Sequence, residues 1–299
     1  MTTLVIGTRA STLALVQTEH VLESLRAAHP GITFEVRHIS TRGDRITDRP
    51  LAELGRNGVF VTEIEAALRS RDIDLAVHSA KDLPSRLAAD MLIGAFLARE
   101  DPRDVLVSRA GPLGALPRGA RVGTSSPRRA AQLHVLRPDL VPADVRGNVD
   151  TRLRRLATGD YDALLLAAAG LVRLGRSAEI TEWLEPDVML PAVGQGALAI
   201  EVRADDRPIL DLVAPLHHQP TGFVVDAERA FLAELGGDCT AVAGALGTIA
   251  GEGLRLAGMV SADDGQLIRG ESDGPVGDAG LGPTLARRLL NAAAGTHAR

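Results

Sequence analysis

Two side chains able to do chemistry occur once each in this chain: Cys239 is the only cysteine and Lys81 the only lysine among 299 residues. Cys239 lies in a turn of small residues after a helical pattern, and Lys81 follows a buried apolar run. A cysteine can act as a nucleophile, a metal ligand or an attachment point, but it also serves as a small buried hydrophobe. The surrounding residues have to decide between these roles.

Asp82 follows Lys81 directly, at the carboxyl end of the same apolar run. In a doubly wound sheet this is the edge where ligands bind. The carboxylate could be a counter-ion for nearby arginines, could stabilise a developing cation, or could accept and donate protons. The residues alone leave these alternatives open.

Arginines recur where predicted strands end and helices begin. Arg128 and Arg129 follow Ser126-Pro127, a hydroxyl cap and a first-turn proline, so two cations oppose the helix dipole. Taken singly, such arginines are solvated or pair with acids such as Asp144 and Asp150. Taken together they predict a ligand with several carboxylates or phosphates, because guanidinium prefers these groups. The predicted anion-binding set is Arg9, Arg128, Arg129, Arg146, Arg152 and Arg173.

Composition excludes several classes of protein. The formal net charge of −5 and the 2% aromatic content disfavour a general nucleic-acid binder. One cysteine forms neither an internal disulfide nor a cysteine-rich zinc site, and the adjacent His217 and His218 would point to different sides of a helix. We therefore predict no metal. With no signal-peptide pattern and no apolar run of about 20 residues, the expectation is a cytoplasmic protein that binds no membrane.

The pattern of apolar residues predicts two α/β units in tandem, followed by a smaller unit. Strands at 4–6, 32–39 and 73–77 alternate with helices, and a second series has strands at 105–107, 121–123, 140–145 and 163–167. The polar stretch 40–58 predicts a long loop. After residue 220 we expect a helix at 223–235, a hairpin around Asp263-Asp264-Gly265, and a last helix at 285–293. The predicted fold class is α/β, two doubly wound domains with a small α+β C-terminal domain.

Eight segments, in order along essentially the whole chain, together resemble the porphobilinogen deaminase (hydroxymethylbilane synthase) family. They are Gly7-Thr8-Arg9-Ala10-Ser11, Thr41-Arg42-Gly43-Asp44, His78-Ser79-Ala80-Lys81-Asp82-Leu83-Pro84, Glu100-Asp101-Pro102-Arg103-Asp104, Val122-Gly123-Thr124-Ser125-Ser126-Pro127-Arg128-Arg129, Arg146-Gly147-Asn148, Ala168-Ala169-Gly170-Leu171 and Leu190-Pro191-Ala192-Val193-Gly194-Gln195-Gly196-Ala197.

The resemblance implies a fold and a reaction. The first two domains would be like type II periplasmic binding proteins, with boundaries at 1–98 plus 196–216, 101–191 and 219–299, and a lid loop at 40–58. The enzyme, a transferase of tetrapyrrole and heme biosynthesis, would join four porphobilinogen molecules head to tail with loss of ammonia. Joining would occur on one dipyrromethane cofactor per chain, held by a thioether to Cys239, and water would release the linear tetrapyrrole. The enzyme would be a monomer.

The same resemblance implies roles for individual residues. Asp82 would be catalytic, stabilising the cation formed when ammonia leaves. Cofactor-binding residues would be Cys239, Lys81, Asp82, Thr124, Ser125, Ser126, Arg128, Arg129, Arg146 and Gly147. Substrate-binding residues would be Arg9, Ser11, Phe60, Arg146, Arg152, Arg173 and Gln195.

Two residues beside the cysteine depart from the family pattern. Asp238 stands where the family has a small residue, and Val242 stands where it has proline. A neighbouring carboxylate raises a thiol pKa, so slower cofactor attachment is expected. Two rival hypotheses follow: a non-catalytic anion-binding protein on the same scaffold, and a family member that folds without ever loading the cofactor.

Overall fold

The computed structural model describes residues 3–45, 61–236 and 242–295. Cys239, Asp238 and Phe60 lie outside the described residues, as does most of the predicted lid loop 40–58.

The described chain contains the predicted strands and helices, and also elements that were not predicted, including the short helix Arg42–Arg45 inside the predicted loop 40–58. The first stretch holds β1 (Thr3–Thr8), α1 (Thr12–Ala28), β2 (Thr33–His38), α2 (Arg42–Arg45), α3 (Thr62–Arg69), β3 (Leu75–Ser79) and β4 (Met91–Phe96). The second holds β5 (Asp104–Ser108), β6 (Arg121–Gly123), α4 (Pro127–Leu136), β7 (Val141–Ala143), α5 (Val149–Ala157), β8 (Ala163–Ala167), α6 (Ala168–Arg173) and β9 (Glu182–Leu184). The third holds β10 (Leu198–Arg203), α7 (Arg207–Val213), α8 (Gln219–Glu234), β11 (Ala243–Ala250), β12 (Gly253–Ser261), β13 (Leu267–Pro275) and α9 (Leu281–Gly295).

Two five-stranded sheets repeat one plan. Their strand orders are β2-β1-β3-β10-β4 and β7-β6-β8-β5-β9. In each sheet the first three strands are parallel, and the fourth runs antiparallel to both of its neighbours. The first sheet with its helices is called the first unit here, and the second sheet with its helices the second unit. The repeated plan confirms the prediction of two similar α/β units.

The chain passes between these two units twice. The first crossing (97–103) leads from β4 to β5, and the second crossing (185–197) leads from β9 to β10. The strand that follows each crossing enters the other sheet antiparallel at its fourth position. Both crossings therefore join the units at the same places in their sheets.

Three helices begin at capping side chains, among them the predicted cap at Ser126. Ser11, Ser126 and Asn148 each accept a hydrogen bond on the side chain from the backbone N–H three residues later. Each of these caps satisfies a donor that the helix itself leaves unpaired. The caps place the first turns of α1, α4 and α5 directly after β1, β6 and β7, at the edge where ligands bind in doubly wound sheets.

The third unit comprises the antiparallel sheet β11-β12-β13 and the helices α8 and α9. The predicted hairpin is β12–β13, and both predicted helices are present with longer bounds. One hydrophobic cluster joins this unit to the first: Ala80, Leu83 and Phe96 pack in the same cluster as Phe231 and Leu285. The α/β fold class with a small α+β C-terminal part is confirmed, while the exact domain boundaries stay a prediction.

Within the described residues, no helix has both the length and the apolar character that a membrane crossing requires.

Candidate active site

A cavity lies between the first and second units, next to the second crossing. It is bounded by three groups of residues: Leu13, Gln17, Ser79 and Lys81 of the first unit; Arg129, Val149, Arg152, Leu166, Ala167, Ala169, Gly170 and Arg173 of the second; and Gly196 of the second crossing. Four lining residues are cations, and none of the described lining residues is an acid. The cavity is thus suited to an anion.

Lys81 lies in the short 3-10 helix Ala80–Asp82, directly after β3. Its Nζ donates to Oε1 of Gln195 at 3.4 Å, and Gln195 lies in the second crossing. Burial, followed by the charge of Arg129, lowers the pKa of Lys81 to about 8, although Asp82 and Asp104 act in the opposite direction. The ammonium is therefore poorly compensated, and a bound anion would favour its charged form.

A buried carboxylate organises the two arginines at the start of α4. Asp104 accepts from Nη1 of Arg128 at 2.7 Å and from Nε and Nη2 of Arg129 at 2.9 and 2.6 Å. Burial alone would raise the pKa of Asp104, but the charges and hydrogen bonds of both arginines hold it well below its usual range. The anion that compensates this helix start is thus a side chain of the protein, which corrects the expectation that a ligand alone would do so.

The two arginines differ in their access to the cavity. Arg128 is buried and donates its Nη1 also to the Leu190 carbonyl at 2.5 Å, and it is not among the lining residues. Arg129 lines the cavity while donating to Asp104 and to the Leu165 carbonyl. Of this predicted cofactor-binding pair, the structure brings Arg129 to the cavity and keeps Arg128 behind it.

Arg152 and Arg173 line the cavity and are held by neutral oxygens. Nε of Arg152 donates to the Gly147 carbonyl at 2.9 Å, and Nη2 of Arg173 donates to the Gly196 carbonyl at 2.6 Å. Burial, together with Arg129 and Arg146, lowers the pKa of Arg152 to about 10. Carbonyl oxygens orient a guanidinium without neutralising it, so both side chains contribute net positive charge to the cavity.

Asp82 lies within electrostatic range of two of these cations. It ends the 3-10 helix that carries Lys81, and its charge raises the pKa values of both Lys81 and Arg152. One side chain belongs to the first unit and the other to the second. The carboxylate thus acts on cations of both units, but it is not among the residues that line the cavity, and its catalytic role stays a prediction.

The hydroxyl groups predicted to bind the cofactor are engaged in local structure. Ser125 donates to the Val145 carbonyl at 2.5 Å, Ser126 caps α4, and Thr124 accepts from the Ser126 N–H at 3.2 Å. Gly147 has φ +100°, and a Cβ there would lie 2.8 Å from Cγ2 of Thr151. These residues shape the loops before α4 and α5, and their predicted role in binding the cofactor stays a prediction.

Four other predicted residues are not among those that line the cavity. Ser11 caps α1, and Arg9 and Arg146 are partly buried at the ends of strand segments that precede helices. Gln195 is buried, and its Nε2 donates to Asp104 at 2.9 Å and to the Pro102 carbonyl at 2.8 Å. Gln195 therefore connects Lys81 to the Asp104 centre and joins the two crossings.

The sequence reasoning missed one polar pair in the cavity wall. Nε2 of Gln17 donates to Oγ of Ser79 at 2.9 Å, and both residues line the cavity. A polar residue on the inner face of α1 was the available signal. The two histidines considered for a metal have structural contacts instead: His217 accepts from the Phe96 N–H at 3.2 Å, and His218 is the N-cap of α8.

Comparison with known proteins assigns the chain to a family. Residues 4–211 match the model "Porphobilinogen deaminase, dipyromethane cofactor binding domain", and residues 223–291 match "Porphobilinogen deaminase, C-terminal domain". The chain belongs to the porphobilinogen deaminase family. It is 58% identical to the porphobilinogen deaminase of Roseiflexus sp. (strain RS-1) over 97% of this chain and 96% of that protein. It is 50% identical to that of Shouchella clausii (strain KSM-K16), over 99% and 96%.

Among solved structures, the chain is similar to a nutrient binding protein from Burkholderia cenocepacia bound to methionine. That chain is 16% identical, with a TM-score of 0.45, over 74% of this chain and 93% of the other.

Membership of the porphobilinogen deaminase family confirms several predictions. The family, the transferase class, the hydroxymethylbilane synthase activity and the dipyrromethane cofactor are as predicted. The roles of single residues are a separate matter and stay predictions.

The lone lysine makes its own titration directly measurable. Protein labelled with 13Cε-lysine should give one side-chain resonance that titrates near pH 8 before the cofactor is loaded, because burial and Arg129 disfavour the charged form. Loading should move the midpoint upward, since the bound carboxylates favour the ammonium. Lys81→Arg should abolish the signal, and a midpoint near 10.5 in the unloaded protein would contradict the described environment.

Proposed function

We propose that this cavity holds the carboxylates of the dipyrromethane and of the growing pyrrole chain. Each pyrrole unit carries an acetate and a propionate, so the chain becomes more anionic with every addition. The observation that carries the proposal is the set of four cations around one cavity, of which Lys81, Arg152 and Arg173 have hydrogen bonds to neutral oxygens. Charge-assisted hydrogen bonds to carboxylates are the strongest that these groups form.

The residues present suit such a group. Guanidinium and ammonium donors surround the cavity, and the amide and hydroxyl of Gln17 and Ser79 add neutral donors on one wall. Attached through Cys239, the dipyrromethane would supply the pyrrole carbon to which the first porphobilinogen is joined.

We assign the chemical step to Asp82. Loss of ammonia from the aminomethyl group leaves positive charge on the substrate, and a carboxylate facing that charge lowers the energy of the transition state. The carbon–carbon bond then forms, and a proton leaves the attacked pyrrole carbon. Asp82 can take up this proton and return it at the next ammonia loss, in the manner of a general acid–base.

The remaining assignments rest on the resemblance to the family. We propose that Arg9, Ser11 and Arg146 bind substrate carboxylates and that Phe60 packs on a pyrrole ring. Arg128 and Gln195 act through Asp104 and Lys81: the first completes the charge centre that fixes Arg129, and the second orients the ammonium. Thr124, Ser125, Ser126 and Gly147 hold the loops that present Arg129 and Arg152.

Removing a carbonyl-held arginine tests the proposal. Arg152→Gln and Arg173→Gln should each raise the KM for porphobilinogen about 10–100-fold, because a charge-assisted hydrogen bond contributes about 1.5–3 kcal/mol. The matched control is Arg154→Gln, an exposed arginine on the same helix whose Nη2 donates to Thr151. It should change KM less than twofold. An unchanged KM in Arg152→Gln would contradict the assignment.

We further propose that the chain acts as a cytoplasmic monomer. Light scattering of the purified protein should then give a mass near 31.4 kDa at all concentrations tested. A concentration-dependent doubling of the mass would refute the monomer.

A further inference from the structure

Helix α8 packs against the turn that carries Lys81 and Asp82, called the catalytic turn here. In the chain it precedes the segment that contains Cys239. It ends at Glu234, and Cys239 follows it in the chain after the described residue Gly236. Along its length α8 packs against the first unit: Val225 and Phe231 share a hydrophobic cluster with Ala80 and Leu83, which flank the Lys81-Asp82 pair. The helix thus contacts the residues on either side of the catalytic pair.

Two adjacent buried residues of α8, Glu228 and Arg229, make polar contacts with other parts of the molecule. Glu228 accepts from Nη1 of Arg99 at 2.6 Å and from the Gly194 N–H at 2.7 Å, so it contacts both crossings. It also accepts from the Gly247 N–H in β11 at 2.9 Å. Glu228 therefore fixes α8 relative to the crossings.

Arg229 makes the corresponding contact with the catalytic turn. Its Nη2 donates to the carbonyl oxygens of Pro84 and Ser85 at 2.9 and 3.3 Å, just after Asp82 in the chain. The residue is 9% exposed, and no carboxylate is within ion-pairing distance of it among the described residues. Burial lowers its pKa, while the more distant Asp226 and Glu201 raise it.

Such a contact is poorly explained by stability alone. Burying a guanidinium on neutral carbonyls removes hydration without the gain of an ion pair, and an apolar side chain packs at such a site at less cost. What the guanidinium provides is direction, because its Nη2 contacts both carbonyls and so fixes the turn after Asp82 at a set distance from the helix.

We propose that Arg229 is a positioning residue that sets the distance between Asp82 and the C-terminal end of α8, from which the chain leads to Cys239. This inference rests on the proposed function. Every porphobilinogen is joined at Asp82, whereas the chain grows from an anchor that stays in place. A shift of the anchor relative to Asp82 should therefore affect the first addition most, because the shortest chain has the least freedom to adjust. Longer chains have more rotatable bonds and can compensate.

The test measures each addition separately. Loaded enzyme is mixed with less than four equivalents of porphobilinogen, quenched at set times, and analysed by intact-protein mass spectrometry for the species with one to four added units. In Arg229→Gln the first addition should slow about 10–100-fold more than the fourth, since a misplacement of about 1 Å at a reacting centre costs up to 10² in rate. Arg229→Lys, which retains one charged donor, should recover part of this loss.

Arg287→Gln serves as the matched control. Arg287 lies on α9 of the same unit and pairs with Glu234 of α8 at 3.0 Å in an exposed position. Its removal should leave all four additions at wild-type ratios. Thermal melts of all variants show whether each is folded. If Arg229→Gln does not fold, the rates of the four additions are compared in Arg229→Lys instead.

The outcomes separate this inference from the proposed function. Equal slowing of all four additions in folded Arg229 variants would indicate a purely structural role and overturn the inference. Wild-type rates for all four additions would overturn it as well. Wild-type protein that adds no units at all would instead refute the proposed function.

Discussion

Asp82→Asn should lose about 10²–10⁴-fold in kcat and still carry the dipyrromethane. Asparagine keeps the size of the side chain but removes the negative charge, so it neither stabilises the cation left by ammonia nor accepts a proton. The carboxylate lies at the end of a 3-10 helix after a buried strand and raises the pKa values of Lys81 and Arg152 on opposite sides of the cleft. Steady-state assays with porphobilinogen give kcat, and intact-protein mass gives cofactor occupancy.

Two further variants serve as comparisons for Asp82→Asn. Asp82→Glu keeps the charge on a longer side chain and should retain more activity than Asp82→Asn. Asp205→Asn removes an exposed carboxylate just after β10 and should behave as wild type. Near-normal turnover in Asp82→Asn would remove Asp82 from the chemical step, and loss of the adduct would place its role in assembly of the cofactor instead.

Local features of the fold were predictable from the sequence, because each depends on residues close together in the chain. The caps at Ser11, Ser126 and Asn148 satisfy donors three residues away, so a pattern of four residues is sufficient to locate them. The buried strand β8 is a continuous apolar run, which is typical of strands covered on both faces.

Features that depend on distant partners were not predictable in this way. Strand β10 enters the first sheet after the whole second unit, between β3 and β4, and no local pattern reveals that pairing. Strand β11 contains three alanines and two glycines, and a Cβ at Gly244 would lie 2.8 Å from the Pro191 carbonyl. A Cβ at Gly247 would lie 2.9 Å from Cβ of Val224 in α8, so both glycines allow close packing that the sequence pattern does not show.

The arginines of the site likewise combine a feature that was predictable from neighbouring residues with one that depends on a distant residue. Their position at strand-to-helix junctions predicted a cluster of cations at a cleft, and the structure brings Arg129, Arg152 and Arg173 to the cavity. The sequence did not show that Asp104, 24 residues before Arg128, accepts from both first-turn arginines. Since a buried acid compensates Arg128 and Arg129, the uncompensated charge of the cavity comes chiefly from Lys81, Arg152 and Arg173. This redistribution of charge is the main change that the structure makes to the predicted site.

Cys239→Ser should abolish both the covalent adduct and the activity. Serine is nearly isosteric with cysteine, but its hydroxyl is a much weaker nucleophile than a thiolate at neutral pH. Asp238→Gly, which restores a small residue before the cysteine, should load the cofactor faster than wild type because the neighbouring carboxylate no longer raises the thiol pKa. Loading is followed by intact mass after unloaded protein is mixed with porphobilinogen.

The intact mass of the purified wild-type protein tests the central claim most directly. We expect one species, heavier than the sequence mass by two porphobilinogen molecules less two molecules of ammonia. The added mass should lie on the peptide that contains Cys239. Cys239→Ser should have the bare sequence mass. Active wild-type protein at the bare sequence mass would contradict the account, because turnover would then proceed without an anchored cofactor.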